Sequence, residues 1–200
     1  MNKLLMSLFV LCVAVGPVFA QGGGGNVSYD DMIGIYFDED GDRDCATGVL
    51  PGFFHFYVVI ENLTSPGVAG FEMKLEVEGA YTFFNLQLTA DQYIDVATKP
   101  GEVIAGFAAP VMAVDGKLVI MTFDGILDDE DPVTFFTKPV YFPSIAGYPC
   151  YLDSDDNQIV KSLMPVSGDA EVGVLFLNAG HCGPVPAEKS DWGAVKSLYR

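Results

Sequence analysis

Residues 70–78 read GFEMKLEVE, and their alternation decides the fold. Phe71, Met73, Leu75 and Val77 take every second position, with Glu72, Lys74, Glu76 and Glu78 between them. Successive side chains of a strand point to opposite faces, so this segment has one apolar face and one charged face. A strand that is wet on one side belongs to an antiparallel sheet rather than a parallel one. Something else in the chain must cover the apolar side.

The rest of the chain supplies that cover as further strands. Upstream, residues 32–37 (MIGIYF) form a first strand, and residues 53–61 (FFHFYVVIE) read as a central strand buried on much of both faces. Downstream, residues 81–88 form a strand with Phe84, Leu86 and Leu88 on one face. A short strand is expected near residues 94–97, and another over 103–107, stopped by Ala108-Ala109-Pro110. Asp115-Gly116 between apolar flanks is a two-residue hairpin signal, and residues 117–123 leave it as a strand. Residues 133–142 continue in extended form, with Pro139 marking an edge or a bulge. Residues 148–152, 159–163 and 172–178 complete nine or ten short strands separated by turn residues. This pattern predicts an all-β protein, a single antiparallel β-sandwich with no helix before the C-terminal tail.

Two stretches resemble a known family. Residues 67–77 (GVAGFEMKLEV) are similar to the strand of cohesin-type and related carbohydrate-binding-type sandwiches in which a Gly-aromatic pair opens an alternating run. Residues 115–123 (DGKLVIMTF) resemble the later strand of such domains, where a turn glycine precedes an apolar strand ending in Phe. Glu76-Val77-Glu78 stands where cohesins often carry Tyr-Asp-Pro. The resemblance implies an immunoglobulin-like or cohesin-like sandwich.

The two ends have a different character from this middle. Lys3, the apolar run over residues 4–15 and Val18-Phe19-Ala20 before Gln21 have the layout of an export signal cleaved near Ala20. Residues 21–25 (QGGGG) are a glycine-rich leader, residues 26–182 the sandwich domain, and residues 183–200 a linker and tail. The tail ending SDWGAVKSLYR resembles the Trp-Gly-x-x-Lys-x-Leu-Tyr-Arg ending of small exported bacterial proteins of unassigned function. That likeness implies a sorting or docking element carried by Trp192, Lys196, Leu198, Tyr199 and Arg200. Trp192, Val195, Leu198 and Tyr199 share a face if the tail is helical. The protein is therefore expected to be secreted or held at the cell surface, with an extracellular protein or glycan as partner.

Charge and cysteines narrow the classes. A net charge of −17 over 200 residues repels nucleic acid and anionic membranes. No stretch after the signal reaches about 18 unbroken apolar residues, so no membrane-spanning helix is expected. Cys45, Cys150 and Cys182 remain after cleavage, and cysteines of exported proteins tend to pair. Cys45 follows the first strand and Cys182 the last, which makes Cys45–Cys182 the expected bridge; pairing of Cys150 with either is the competing arrangement.

The loop Asp38-Glu39-Asp40-Gly41-Asp42-Arg43-Asp44 spaces Asp38, Asp40, Asp42 and Asp44 two apart. Alternating aspartates around a glycine can supply oxygen ligands to calcium, although the order is not that of an EF-hand. A solvated turn in an acidic chain is the plainer reading, and Asp153, Asp155, Asp156 and Asn157 are a second such cluster. Asp128 to Asp131 read as a wet loop. His55 and His181 lack zinc-ligand spacing, and His55 reads as a core-edge or surface residue. No nucleophile stands in a recognisable motif with its base, so the expected function is non-enzymatic. The expected alternative to a surface interaction protein is a calcium-stabilised module binding carbohydrate or protein.

Overall fold

The computed structural model describes residues 29–180. They fold into thirteen strands, with no helix among the described residues. In chain order these are β1 (Met32–Tyr36), β2 (Cys45–Ala46), β3 (Gly52–Glu61), β4 (Gly67–Glu78), β5 (Tyr81–Leu88), β6 (Tyr93–Asp95) and β7 (Glu102–Met112). There follow β8 (Leu118–Leu127), β9 (Val133–Lys138), β10 (Cys150–Asp153), β11 (Val160–Ser162), β12 (Met164–Pro165) and β13 (Leu175–Leu177). The export signal, glycine-rich leader, His181, Cys182 and the tail lie outside the described residues.

Two sheets share these strands. The smaller has five, in the order β12-β1-β3-β8-β5. The larger has eight: β11-β10-β4-β9-β13-β2, with β7 and β6 added beside β4. Most pairs are antiparallel, but β1–β12 and β13–β2 are parallel. Phe56 and Phe123 of the smaller sheet stack at 5.1 Å, and Phe135 of the larger sheet meets Phe56 at 5.2 Å. Those rings form the centre of one core between the sheets, each side chain contributing roughly 1.5–3 kcal/mol through burial.

The segment 70–78 behaves as its alternation demands. Phe71, Met73 and Leu75 are buried in that core, while Glu72, Lys74 and Glu76 lie on the outer face of β4. Asp115 and Gly116 both take positive φ, 51° and 75°, and Val114 bridges Lys117 across them, giving the tight turn expected of Asp-Gly.

Four expectations need correcting. First, β3 is buried on both faces only at Val58, Val59 and Ile60; Phe53 at its start is 62% exposed. Second, Phe84 does not share a face with Leu86 and Leu88, because β5 is bulged between Phe84 and Gln87. The extra residue leaves both Phe84 and Asn85 exposed on the outer side. Third, β7 runs on through Ala108-Ala109-Pro110. Its register against β4 jumps from Gly106↔Gly70 to Val111↔Val68, so the proline falls in an irregularity where no ladder bond is required of it.

The fourth concerns residues 133–142. β9 stops at Lys138, and the chain leaves the sheet at Pro139. Lys74 pairs with Glu102 on one side and Lys138 on the other, while Glu72 pairs with Ile104 and Cys150. β9 and β10 therefore lie end to end along the same edge of β4, with β7 along the opposite edge. Residues 139–149 are an insertion between two halves of one line of pairing.

Candidate functional site

The insertion shapes the outer face of the larger sheet. It crosses β4 as a strap held by two carboxylates. Tyr141 N–H donates to Glu102 Oε1 at 2.7 Å, and Ser144 donates N–H and Oγ–H to the two oxygens of Glu72 at 2.7 and 2.9 Å. Lys99 Nζ lies 4.6 Å from the centre of the Tyr141 ring. The tip of the strap presents Tyr141 and Phe142, 65% and 83% exposed, packed edge to face.

Beside the strap the face is apolar. Register puts Val160, Leu152, Gly70, Gly106 and Ile94 in one row across β11, β10, β4, β7 and β6. Val96, bonded through its N–H to Ile104 O, extends the neighbouring row with Ile104, Glu72 and Cys150. Ile94 is 73% exposed, Val96 60% and Val160 40%. The two glycines form the floor of a groove of about 180 Å³. A Cβ on Gly106 would meet nothing within 4 Å, so the space above it is open. That volume takes an aliphatic side chain but falls short of the roughly 300–1,000 Å³ of small-molecule sites.

Cys150 lies under the strap, fully buried, and is a free thiol. Its Sγ–H donates to Tyr148 O at 3.4 Å, and burial pushes its pKa up to about 11. A thiol so raised and covered is inert toward exchange. Cys45 is not a free thiol, and its expected partner Cys182 lies outside the described residues.

The acidic loop is a turn closed by one of its own aspartates. Asp38 Oδ1 accepts the N–H of Asp42 at 3.0 Å, Gly41 turns the chain at φ 72°, and the Lys117 ammonium bonds the carbonyl of Asp40. Among the described residues, no three His, Cys, Asp or Glu side chains, Asp38, Asp40, Asp42 and Asp44 included, gather closely enough to hold a metal ion. Asp153 of the second acidic cluster is a structural anchor: it pairs with Lys161 at 2.8 Å, accepts Ser65 Oγ–H at 2.9 Å and accepts the N–H of Asp155 at 2.8 Å. Lys161 above all holds its carboxyl well below the usual carboxylate range.

His55 stands 44% exposed on the outer face of the smaller sheet, bonded to Asp124. Sequence reading passed over the groove residues and the strap. Ile94 and Val96 sit in an irregular segment without alternation, and no local pattern announces that residues 139–149 cross a strand seventy positions earlier.

No protein-family model and no curated protein matches the sequence. Among solved structures, similarity extends to the seventh ScaB type I cohesin from Pseudobacteroides cellulosolvens, at 12% identity and TM-score 0.39 over 67% of this chain and 86% of that one. It extends also to CaCohA2 from Clostridium acetobutylicum, at 11% identity and TM-score 0.44 over 78% of this chain and 95% of that one. At this distance no residue-by-residue correspondence carries over.

Proposed function

We propose that this is a non-enzymatic interaction protein, exported to the cell surface or medium, that docks a protein partner on the outer face of its larger sheet. The observation that carries the reading is the apolar row from Val160 to Ile94, open over Gly106 and bordered by Ser144 of the strap. Exposed apolar groups gathered around a recess are a common mark of protein contact surfaces. The tail, through Trp192, Lys196, Leu198, Tyr199 and Arg200, sorts or anchors the protein. Deleting residues 192–200 is expected to leave the melting temperature unchanged and to alter where the protein accumulates in its native host. Unchanged localisation of the truncated protein would overturn the sorting role.

Cys45–Cys182 completes the proposal. Its support is the register of β2 and β13, which pairs Phe176 with Cys45 and bonds Asn178 N–H to Ala46 O. Four further residues span up to about 13 Å, ample for a Cα separation of about 4.4–6.8 Å. Intact mass before and after reduction tests it. The calcium reading of Asp38, Asp40, Asp42 and Asp44 makes a separate forecast, a melting temperature that rises with calcium and falls with chelator. Lys117 on the Asp40 carbonyl is a cation competing for one of the oxygens such a site would use.

A further inference from the structure

The outer face of the smaller sheet is built in two halves. Register sets three rows across β3, β8 and β5: Phe53, Ile126 and Thr82; His55, Asp124 and Phe84; Tyr57, Thr122 and Gln87. The first half is apolar. Phe53 and Phe84 lie with ring centres 5.8 Å apart at 58°, and Phe53, Phe84 and Ile126 are 62%, 39% and 42% exposed. The second half is polar and connected. His55 Nδ1–H donates to Asp124 Oδ1 at 2.6 Å, Asn85 Nδ2–H to Asp124 Oδ2 at 2.6 Å, and Gln87 Nε2–H to Asn85 Oδ1 at 2.9 Å. The His55 ring meets Tyr57 edge to face at 4.9 Å, which fixes its orientation.

The backbone is distorted to produce this arrangement. The bulge in β5 holds Asn85 at φ 53°, in the left-handed region that few residues other than glycine and asparagine adopt. A regular strand would aim Phe84 outward and Asn85 into the core. The bulge instead puts ring and amide side by side on the same face, and bulges commonly re-aim side chains in this way at functional sites.

We propose that this face binds a neutral saccharide, with one pyranose seated between the Phe53–Phe84 pair and the His55–Asp124–Asn85–Gln87 chain. A pyranose has an apolar C–H face and a rim of hydroxyls that both donate and accept. The phenyl rings match the first. The carboxylate and two amides match the second, because Asp124 retains lone pairs to accept hydroxyls while Asn85 and Gln87 can donate and accept. Their mutual hydrogen bonds hold the rotamers before the ligand arrives, which lowers the ordering cost of binding. None of these residues is a lysine or arginine and the chain carries −17, so the ligand is uncharged rather than anionic. This site lies on the opposite sheet from the proposed protein-docking face, and either can fail without the other.

The test is native electrophoresis of the full chain in gels cast with soluble xylan, mixed-linkage β-glucan or galactomannan. Retardation in at least one polysaccharide is expected. Phe53→Ala and Phe84→Ala should each weaken it by about tenfold, with melting temperature unchanged because both rings are exposed. Asn85→Gly keeps the left-handed backbone, removes the amide and should weaken binding comparably. Gly106→Leu, on the other sheet, should bind as the parent does. Parental mobility unchanged in all three gels overturns the proposal, and so does retardation that survives both phenylalanine substitutions.

Discussion

On the outer face of the smaller sheet, Phe53, His55, Phe84 and Asp124 stand on three adjacent strands in fixed orientations. On the outer face of the larger sheet, Ile94, Ile104, Leu152 and Val160 surround two glycines and an open groove. The first surface fixes direction through hydrogen bonds, and the second offers apolar area and room. One suits a small polyol and the other a protruding side chain. A glycine in each sheet shows the same contrast from inside. A Cβ on Gly125, between Asp124 and Ile126, would lie 1.9 Å from the Tyr81 hydroxyl, whereas one on Gly106 meets open space.

Gly125→Ala should therefore have the largest effect. The Tyr81 ring is wedged edge-on against Phe135 at 4.9 Å and Phe56 at 6.0 Å, so it cannot swing clear. Overpacking there should cost about 1–3 kcal/mol in urea unfolding and displace Asp124. Gly106→Ala should change stability by less than about 0.5 kcal/mol. Equal costs at the two glycines would erase the contrast.

Asp153→Asn ranks next. Asp153 has its carboxyl lowered in the fold, so its contribution is present above the ordinary value of 3.8 and fades as pH falls through the lower folded value. The variant should melt earlier than the parent at pH 7, and the gap should narrow steadily below about pH 4. A gap independent of pH would mean that Lys161 and the loop N–H groups do not act through the charge.

Gly106→Leu fills the groove with little expected change in melting temperature, and it separates the two faces: partner docking should fall while saccharide retardation is kept. The smallest effect is a rate. Cys150 should resist a thiol reagent at pH 8 until the protein is unfolded, since its thiol is buried and raised to about 11. Glu72→Gln loosens the strap and should speed labelling. Fast labelling of the parent would show that the strap opens readily.

How much of this was legible in the sequence depended on the range of the signal. The alternation in residues 70–78 and the Asp115-Gly116 turn are local facts, and both translate directly into structure. Phe84 misled because a bulge depends on β8, the strand opposite, and nothing in residues 81–88 announces the inserted position. Pro110 misled in the same way, since the irregularity that accommodates it belongs to the pairing of β7 with β4. The aromatic strand around His55 leaves a core-edge or a surface position open, and the structure has the side chain 44% exposed. Its bond to Asp124 was invisible because the two lie 69 positions apart. The strap escaped notice because proline and small residues mark a departure from the sheet but not its destination.

The parallel pairing of β2 with β13 has a mechanical consequence. The described chain ends just beyond β13, where Asn178 exchanges two 2.8 Å bonds with Val49. Tension directed along the axis of β13 would act perpendicular to its hydrogen bonds with β9 and β2. Those bonds are then loaded together in shear instead of parting one by one, so the sheet resists a steady pull at the attachment point. A force-extension measurement through the tail reads that resistance directly.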